Sequence, residues 1–226
     1  MCSSDLDPTD TFFDKISKAT FRVVMTDPGE IYPDATHEEV YNIRRENAII
    51  KITGITEFVS TSSSTADVTI SVEVKDIDDG DENRGNIANA KVRFVFTPKG
   101  DGVPITKDVT LVSISDTTVG TATVTAALPA GSFGAEPYVV HIYAGDYYRG
   151  KINSAVTVQK TKQINLISGG GYILLDGTSG GSYAGDAGTK THFGFSAKNN
   201  KTASKVQGHA VIVFTHAGRV YQVTGR

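Results

Sequence analysis

The densest run of oxygen ligands in the chain is Asp76-Ile77-Asp78-Asp79-Gly80-Asp81-Glu82-Asn83, five carboxylates and an amide around one glycine. Calcium takes six to eight oxygen ligands, and acidic side chains gathered on a turn supply several of them. Asp76, Asp78, Asp79, Asp81 and Asn83 are therefore the candidate calcium ligands. The spacing is not that of an EF-hand loop, and no helices flank it. The same residues also read as a solvated acidic turn, with Gly80 taking positive φ and the carboxylates keeping strand edges soluble.

A second cluster combines Tyr143, Tyr147 and Tyr148 with Asp146 and Arg149 at the end of an expected strand. Stacking faces and hydroxyls of this kind bind sugars or partner proteins, and they also serve as a tyrosine corner or a core rim. Gly177-Thr178-Ser179-Gly180-Gly181 matches the G-x-S-x-G pattern, but a nucleophile elbow needs a strand before the serine and a helix after it. Here the surroundings are rich in glycine and serine, so a loop is expected. His37, His141, His192, His209 and His216 show none of the short spacings that seed zinc sites. Gly185 to Thr191 lacks the glycine directly before lysine that a phosphate loop requires. No set of base, nucleophile and oxyanion donors is recognisable, so a non-enzymatic role is expected.

The elements that position these groups are strands. The 226 residues include 26 Thr and 23 Val, a β-branched excess. Twenty-two Lys and Arg against 25 Asp and Glu give a net charge of −3, which offers no basic stripe for nucleic acid. No apolar run reaches the ~18 residues of a membrane helix. The one cysteine, Cys2, cannot form an internal disulfide.

Along the chain, Phe21 to Met25 reads as a strand closed by Asp27-Pro28-Gly29. Thr36-His37-Glu38-Glu39 has capping-box spacing, which opens either a short helix carrying Val40, Tyr41 and Ile43 or an irregular lead-in to a strand. From Ile49 to Gln159 the period is two: Val68, Ile70, Val72 and Val74 alternate with polar residues, as do Val92, Phe94 and Phe96. Further strands are expected at Ile49–Thr53, Val109–Ile114, Thr121–Leu128, Tyr138–Tyr143 and Ala155–Val158. About seven short strands with turn signals between them are the signature of an immunoglobulin-like β-sandwich. After Thr161-Lys162-Gln163 glycine becomes frequent, and strands are expected at Tyr172–Leu175, His192–Lys198, His209–Thr215 and Arg219–Thr224. The hairpin connection Thr215-His216-Ala217-Gly218 falls between the last two.

Three stretches carry a family resemblance. They are Arg84-Gly85-Asn86-Ile87-Ala88-Asn89-Ala90-Lys91-Val92-Arg93-Phe94-Val95; Ser115-Asp116-Thr117-Thr118-Val119-Gly120-Thr121-Ala122 with Tyr143-Ala144-Gly145-Asp146-Tyr147-Tyr148; and Ser168-Gly169-Gly170-Gly171-Tyr172 with Thr191 to Lys201 and Val206-Gln207-Gly208-His209. From about Glu38 onward the chain resembles the immunoglobulin-like repeats and glycine-rich β tail of large secreted or surface bacterial proteins. The resemblance implies a structural or adhesive extracellular role, with neighbouring repeats in the parent chain as partners and a glycan or surface protein as a further one. It brings no catalytic residues. The alternatives are a carbohydrate-binding accessory module of a secreted hydrolase and a calcium-stiffened linker.

The expected organisation is all-β: a lead-in at 7–37, a sandwich at 38–160 and a glycine-rich module at 161–226. Cys2-Ser3-Ser4-Asp5-Leu6 resembles a translated sequencing adapter, so residues 1–6 are expected to be a non-native scar. The final strand is expected to be truncated.

Overall fold

The computed structural model describes residues 18–25, 35–42, 45–77, 85–113, 117–161, 163–177, 180–199 and 205–225. The all-β expectation holds: the described residues form fifteen strands and one short 3-10 turn at Ile87–Asn89. The first two strands, β1 (Lys18–Met25) and β2 (Ala35–Asn42), pair antiparallel with each other. Residues 36–42 are thus extended, and the helix suggested by the capping-box spacing does not form. Thr36 and the β-branched Val40 sit instead in a ladder opposite Val24 and Thr20.

Nine strands then wrap around one core. They are β3 (Glu46–Ile55), β4 (Phe58–Thr61), β5 (Thr65–Asp76), β6 (Ala90–Pro98), β7 (Ile105–Thr110), β8 (Val112–Ser113), β9 (Val119–Pro129), β10 (Ala135–Asp146) and β11 (Tyr148–Lys160). The hydrogen-bonded order is β7-β6-β10-β11-β3-β5-β9-β8, with β4 added along β11. This single path, whose β7 comes back alongside β9, makes a flattened and nearly closed barrel. The alternation read from β5 is exact in outcome, since Val68, Ile70, Val72 and Val74 are fully buried. They meet Val92, Phe94 and Phe96 of β6 and Tyr138, Val140 and Ile142 of β10 in one cluster. The expected strand from Val109 to Ile114 divides at Leu111 into β7 and β8, and Leu111 itself packs into the core.

The β9–β10 corner is held by polar bonds. Tyr138 Oη donates to Pro129 O at 2.6 Å. The buried Glu136 carboxylate accepts from the Lys99 and Gly100 amides at 2.7 and 2.6 Å. Burial of a carboxyl group is costly unless hydrogen bonds replace its water, and here two amides of a turn do so.

Four more strands form an antiparallel meander: β12 (Leu166–Leu174), β13 (Lys190–Asn199), β14 (Val206–His216) and β15 (Arg219–Gly225). The β14–β15 turn has φ of +49° at Ala217 and +70° at Gly218, both positive as a type I′ hairpin requires. This sheet lies on the outer surface of β10 and β11. Those strands are buried on both sides: Val140, Ile142 and Val156 point into the barrel, whereas Val139 and Ala155 point outward onto Val211 and Val213. Thr157 Oγ1 adds a bond to Gly169 O at 3.0 Å. Strands covered on both faces read as continuous apolar runs, which explains Tyr138-Val139-Val140 and Ala155-Val156.

Truncating Phe94, fully buried in the barrel, to alanine is expected to cost about 3–5 kcal/mol. Ile173→Ala, at an exposed position of β12, is expected to change stability by no more than ~0.5 kcal/mol. Urea unfolding of the two variants checks the contrast.

Candidate functional site

The two clusters singled out by sequence meet at one end of the barrel, in an unexpected way. Asp76 closes β5 and is buried, while Tyr148 opens β11 and is completely buried. The Tyr148 hydroxyl faces Asp76 Oδ2 at 3.5 Å. Gly85 packs directly against that hydroxyl, where a Cβ would collide with it. Backbone bonds knit the same end: Asp76 N to Thr118 O at 2.8 Å, Ile77 N to Asn47 O at 3.0 Å and Glu46 N to Tyr147 O at 2.9 Å. Asp76 is therefore built into the wall beneath Tyr148. Asp78, Asp79, Asp81 and Asn83, the other candidate calcium ligands, lie outside the described residues.

The three tyrosines do not share a surface. Tyr148 offers no face to a ligand. Tyr147 is 46% exposed at the β10–β11 turn, following Asp146 with φ +61°. Asp146 is tied to Lys91 at 3.0 Å, which fixes that turn. Tyr143 lies on the outer surface, stacked on His141 at 6.2 Å between centroids, with the Lys151 ammonium 5.7 Å from its ring. Of the G-x-S-x-G stretch, Thr178 and Ser179 fall outside the described residues. The Gly185–Thr191 stretch leads into strand β13 rather than a helix.

A surface that sequence reasoning missed is the outer face of the β12–β15 sheet. Register places Gly171, Phe193, Ile212 and Val223 in one row across the four strands, and Gly169, Phe195, Ala210 and Gly225 in another. The Phe195 ring lies over Gly169 and the Phe193 ring approaches Gly171. Ile167, Ile173, Ile212 and Val223 on this face are exposed. Contiguous exposed apolar area of this kind marks interaction surfaces. The signal was present as Phe193, Phe195, Ala197 alternating with His192, Gly194, Ser196, but the inner row is itself covered, so alternation alone could not tell which face meets solvent.

At one end of that face, four rings gather. Phe214 and Tyr221 stack at 5.6 Å, His216 meets Tyr221 edge-on at 5.8 Å, and the exposed Tyr183 completes the group at 5.9 Å from His216. His216 Nδ1 lies 2.7 Å from Ala184 O. Asp186 anchors the loop by accepting from the Ala217 and Gly218 amides at 2.7 and 2.9 Å. These two backbone bonds hold its carboxyl below the ordinary carboxylate range.

Burial keeps His141 and His192 neutral. His141 has its pKa pushed down to about 4 by burial, against a side-chain bond to Asn153 at 3.1 Å. His192, in the inner row of β13, is likewise pushed down to about 4 by burial and then by Lys190. Its Nδ1 lies 3.4 Å from Glu57 Oε1, whose own carboxyl is pushed upward by burial. Among the described residues no three His, Cys, Asp or Glu side chains gather as a metal cluster. Nor is any helix among them long and apolar enough to cross a membrane. No family model matches the chain, and no curated protein does.

For a base whose folded pKa is depressed, folding stability is complete above the unfolded value of ~6.5 and is lost as pH falls towards the folded value. Stability is therefore expected to decline from pH 6.5 to 4. His141→Gln and His192→Gln are each expected to flatten that decline in urea unfolding across the pH range.

Proposed function

We propose that the chain is a structural and adhesive segment of a large secreted or cell-surface bacterial protein, built from an immunoglobulin-like unit and a glycine-rich β module. The observation that carries this reading is the exposed apolar face of the β12–β15 sheet. Its inner face already packs on β10 and β11 through Val211 and Val213. A sheet packed on one face and apolar on the other is suited to be an inner layer, and its uncovered side suits a neighbouring repeat or a partner protein.

The strand order supports the immunoglobulin-like part. Strands β3-β5-β9-β8 take the places of A-B-E-D, and β6-β10-β11 those of C-F-G. Tyr138, with its hydroxyl bonded back to Pro129 at the β9–β10 corner, has the form of a tyrosine corner. Paired strands with free end loops suit a spacer, because loops vary without disturbing the core.

A carbohydrate-binding module is the second reading, favoured by the ring cluster of Phe214, Tyr221, His216 and Tyr183. Its aromatic platform is then on the C-terminal sheet rather than at Tyr143, Tyr147 and Tyr148.

The double variant Ile212→Lys, Val223→Lys places two charges on the exposed face. The parent chain is expected to bind the dye ANS and to self-associate with rising concentration in sedimentation velocity. The variant is expected to lose both while melting at the same temperature. A monomeric parent that binds no ANS contradicts the adhesive reading. Retention on a polysaccharide gel that is lost in Tyr221→Ala moves the assignment to a carbohydrate-binding module.

A further inference from the structure

The barrel is not sealed along its whole length. Strands β3 and β11 pair only at Glu46 with Tyr148 and Asn47 with Arg149. Pairing on that side of β11 resumes with β4, at Phe58 with Thr157. Between those points the strands diverge, and a cavity of about 470 Å³ opens along the seam. The C-terminal sheet forms its other wall through His192, Val213, Thr215 and Val220. Small-ligand sites are commonly clefts of roughly 300–1,000 Å³ at the junction of two modules.

The lining has a clear polarity. Ile49, Ile52, Ile55, Ile152 and Val220 supply an aliphatic interior. The charged residues among the lining side chains are Lys51 and Lys190, both exposed. Lys190 Nζ is held 3.7 Å above the Tyr172 ring, and the Glu57 carboxylate feels its charge from outside the cavity. His192 adds a ring whose side chain is only 9% exposed and whose Nδ1 has no hydrogen-bond partner. It is neutral at pH 7. The charged lining residues are both lysines, while the nearest carboxylates stand behind the wall: Glu57 against His192 at 3.4 Å, and Glu73 opposite Lys51 in the β3–β5 ladder.

We propose that this seam cavity binds a small amphipathic carboxylate, with its hydrocarbon chain among the isoleucines and its carboxylate at the Lys51 and Lys190 ammonium groups. Apolar burial supplies affinity, and a carboxylate is the head group that lysine side chains among the lining residues select. A neutral or cationic head of the same size gains the apolar contacts but not the charge-assisted bonds. The apolar outer face of Ile167, Ile173, Ile212 and Val223 lies on the opposite side of the β12–β15 sheet, and Phe214 borders both.

The test uses the intact chain and calorimetric titration with decanoate below its micelle concentration, set beside decyltrimethylammonium. Saturable binding of one decanoate is expected, with no saturable binding of the cation. Lys51→Gln, Lys190→Gln together are expected to weaken decanoate binding about tenfold or more, equivalent to ~1.4 kcal/mol. Ile49 is largely exposed, so Ile49→Trp fills the seam without disturbing the core and is expected to abolish binding. The Ile212→Lys, Val223→Lys variant is expected to bind decanoate as the parent does. Absence of saturable binding, equal binding of the cation, or binding unchanged in Ile49→Trp overturns the proposal. So does loss of binding in the outer-face variant, which would put the ligand on that face instead.

Discussion

Burial of both faces of β10 and β11 is the constraint on which the rest depends. A strand pair with one wet face would leave the four-stranded meander without a partner, and a small isolated sheet is marginal in water. Here Val139, Val211 and Val213 are buried between the layers, each worth about 1.5–3 kcal/mol relative to exposure. The barrel core on the other side, with Tyr138, Phe94 and Phe96 fully enclosed, fixes the position of the same two strands. One pair of strands thus sets the geometry of two cores.

Polar groups at the ends of these strands are arranged to permit that burial. Glu136 sits at the start of β10 and is satisfied by two turn amides. Tyr148 begins β11 with its hydroxyl against Asp76. Asp186 serves the turn at the far edge of the meander in the same manner as Glu136, though in the open. The common device is a carboxylate or hydroxyl that closes a turn, leaving the strands between turns free to be apolar. Asp76, at the end of β5, is in this way a buried residue of the wall beneath Tyr148.

Much of the fold was legible because period-two alternation leaves a direct trace. Strands β5, β6, β9 and β13 fall where Val68–Val74, Val92–Phe96, Thr121–Leu128 and His192–Lys198 predict them. The β14–β15 hairpin was marked by Ala217-Gly218. What escaped has physical causes. Phe58–Thr61 is too short for a period to register, and its ladder among the described residues runs to β11, almost a hundred residues away. Thr36 to Asn42 carries a local helix signal that strand pairing overrides. The tyrosine cluster looked like one site because Tyr143, Tyr147 and Tyr148 are close in sequence. A strand end followed by a turn sends such neighbours to an outer face, a tip and a core. The exposed face, the ring cluster and the seam cavity each depend on register between distant strands, which spacing along one chain does not encode.

The claim that one strand pair locks two layers is tested most directly by native-state hydrogen exchange of the intact chain over a series of low urea concentrations. If the account is right, amides of β13 and β14 open with the same free energy and urea dependence as those of β10 and β11, because the layers unfold together. If β12–β15 exchange through a separate low-energy opening while β10 and β11 stay protected, the meander is merely resting on the barrel, and the account fails.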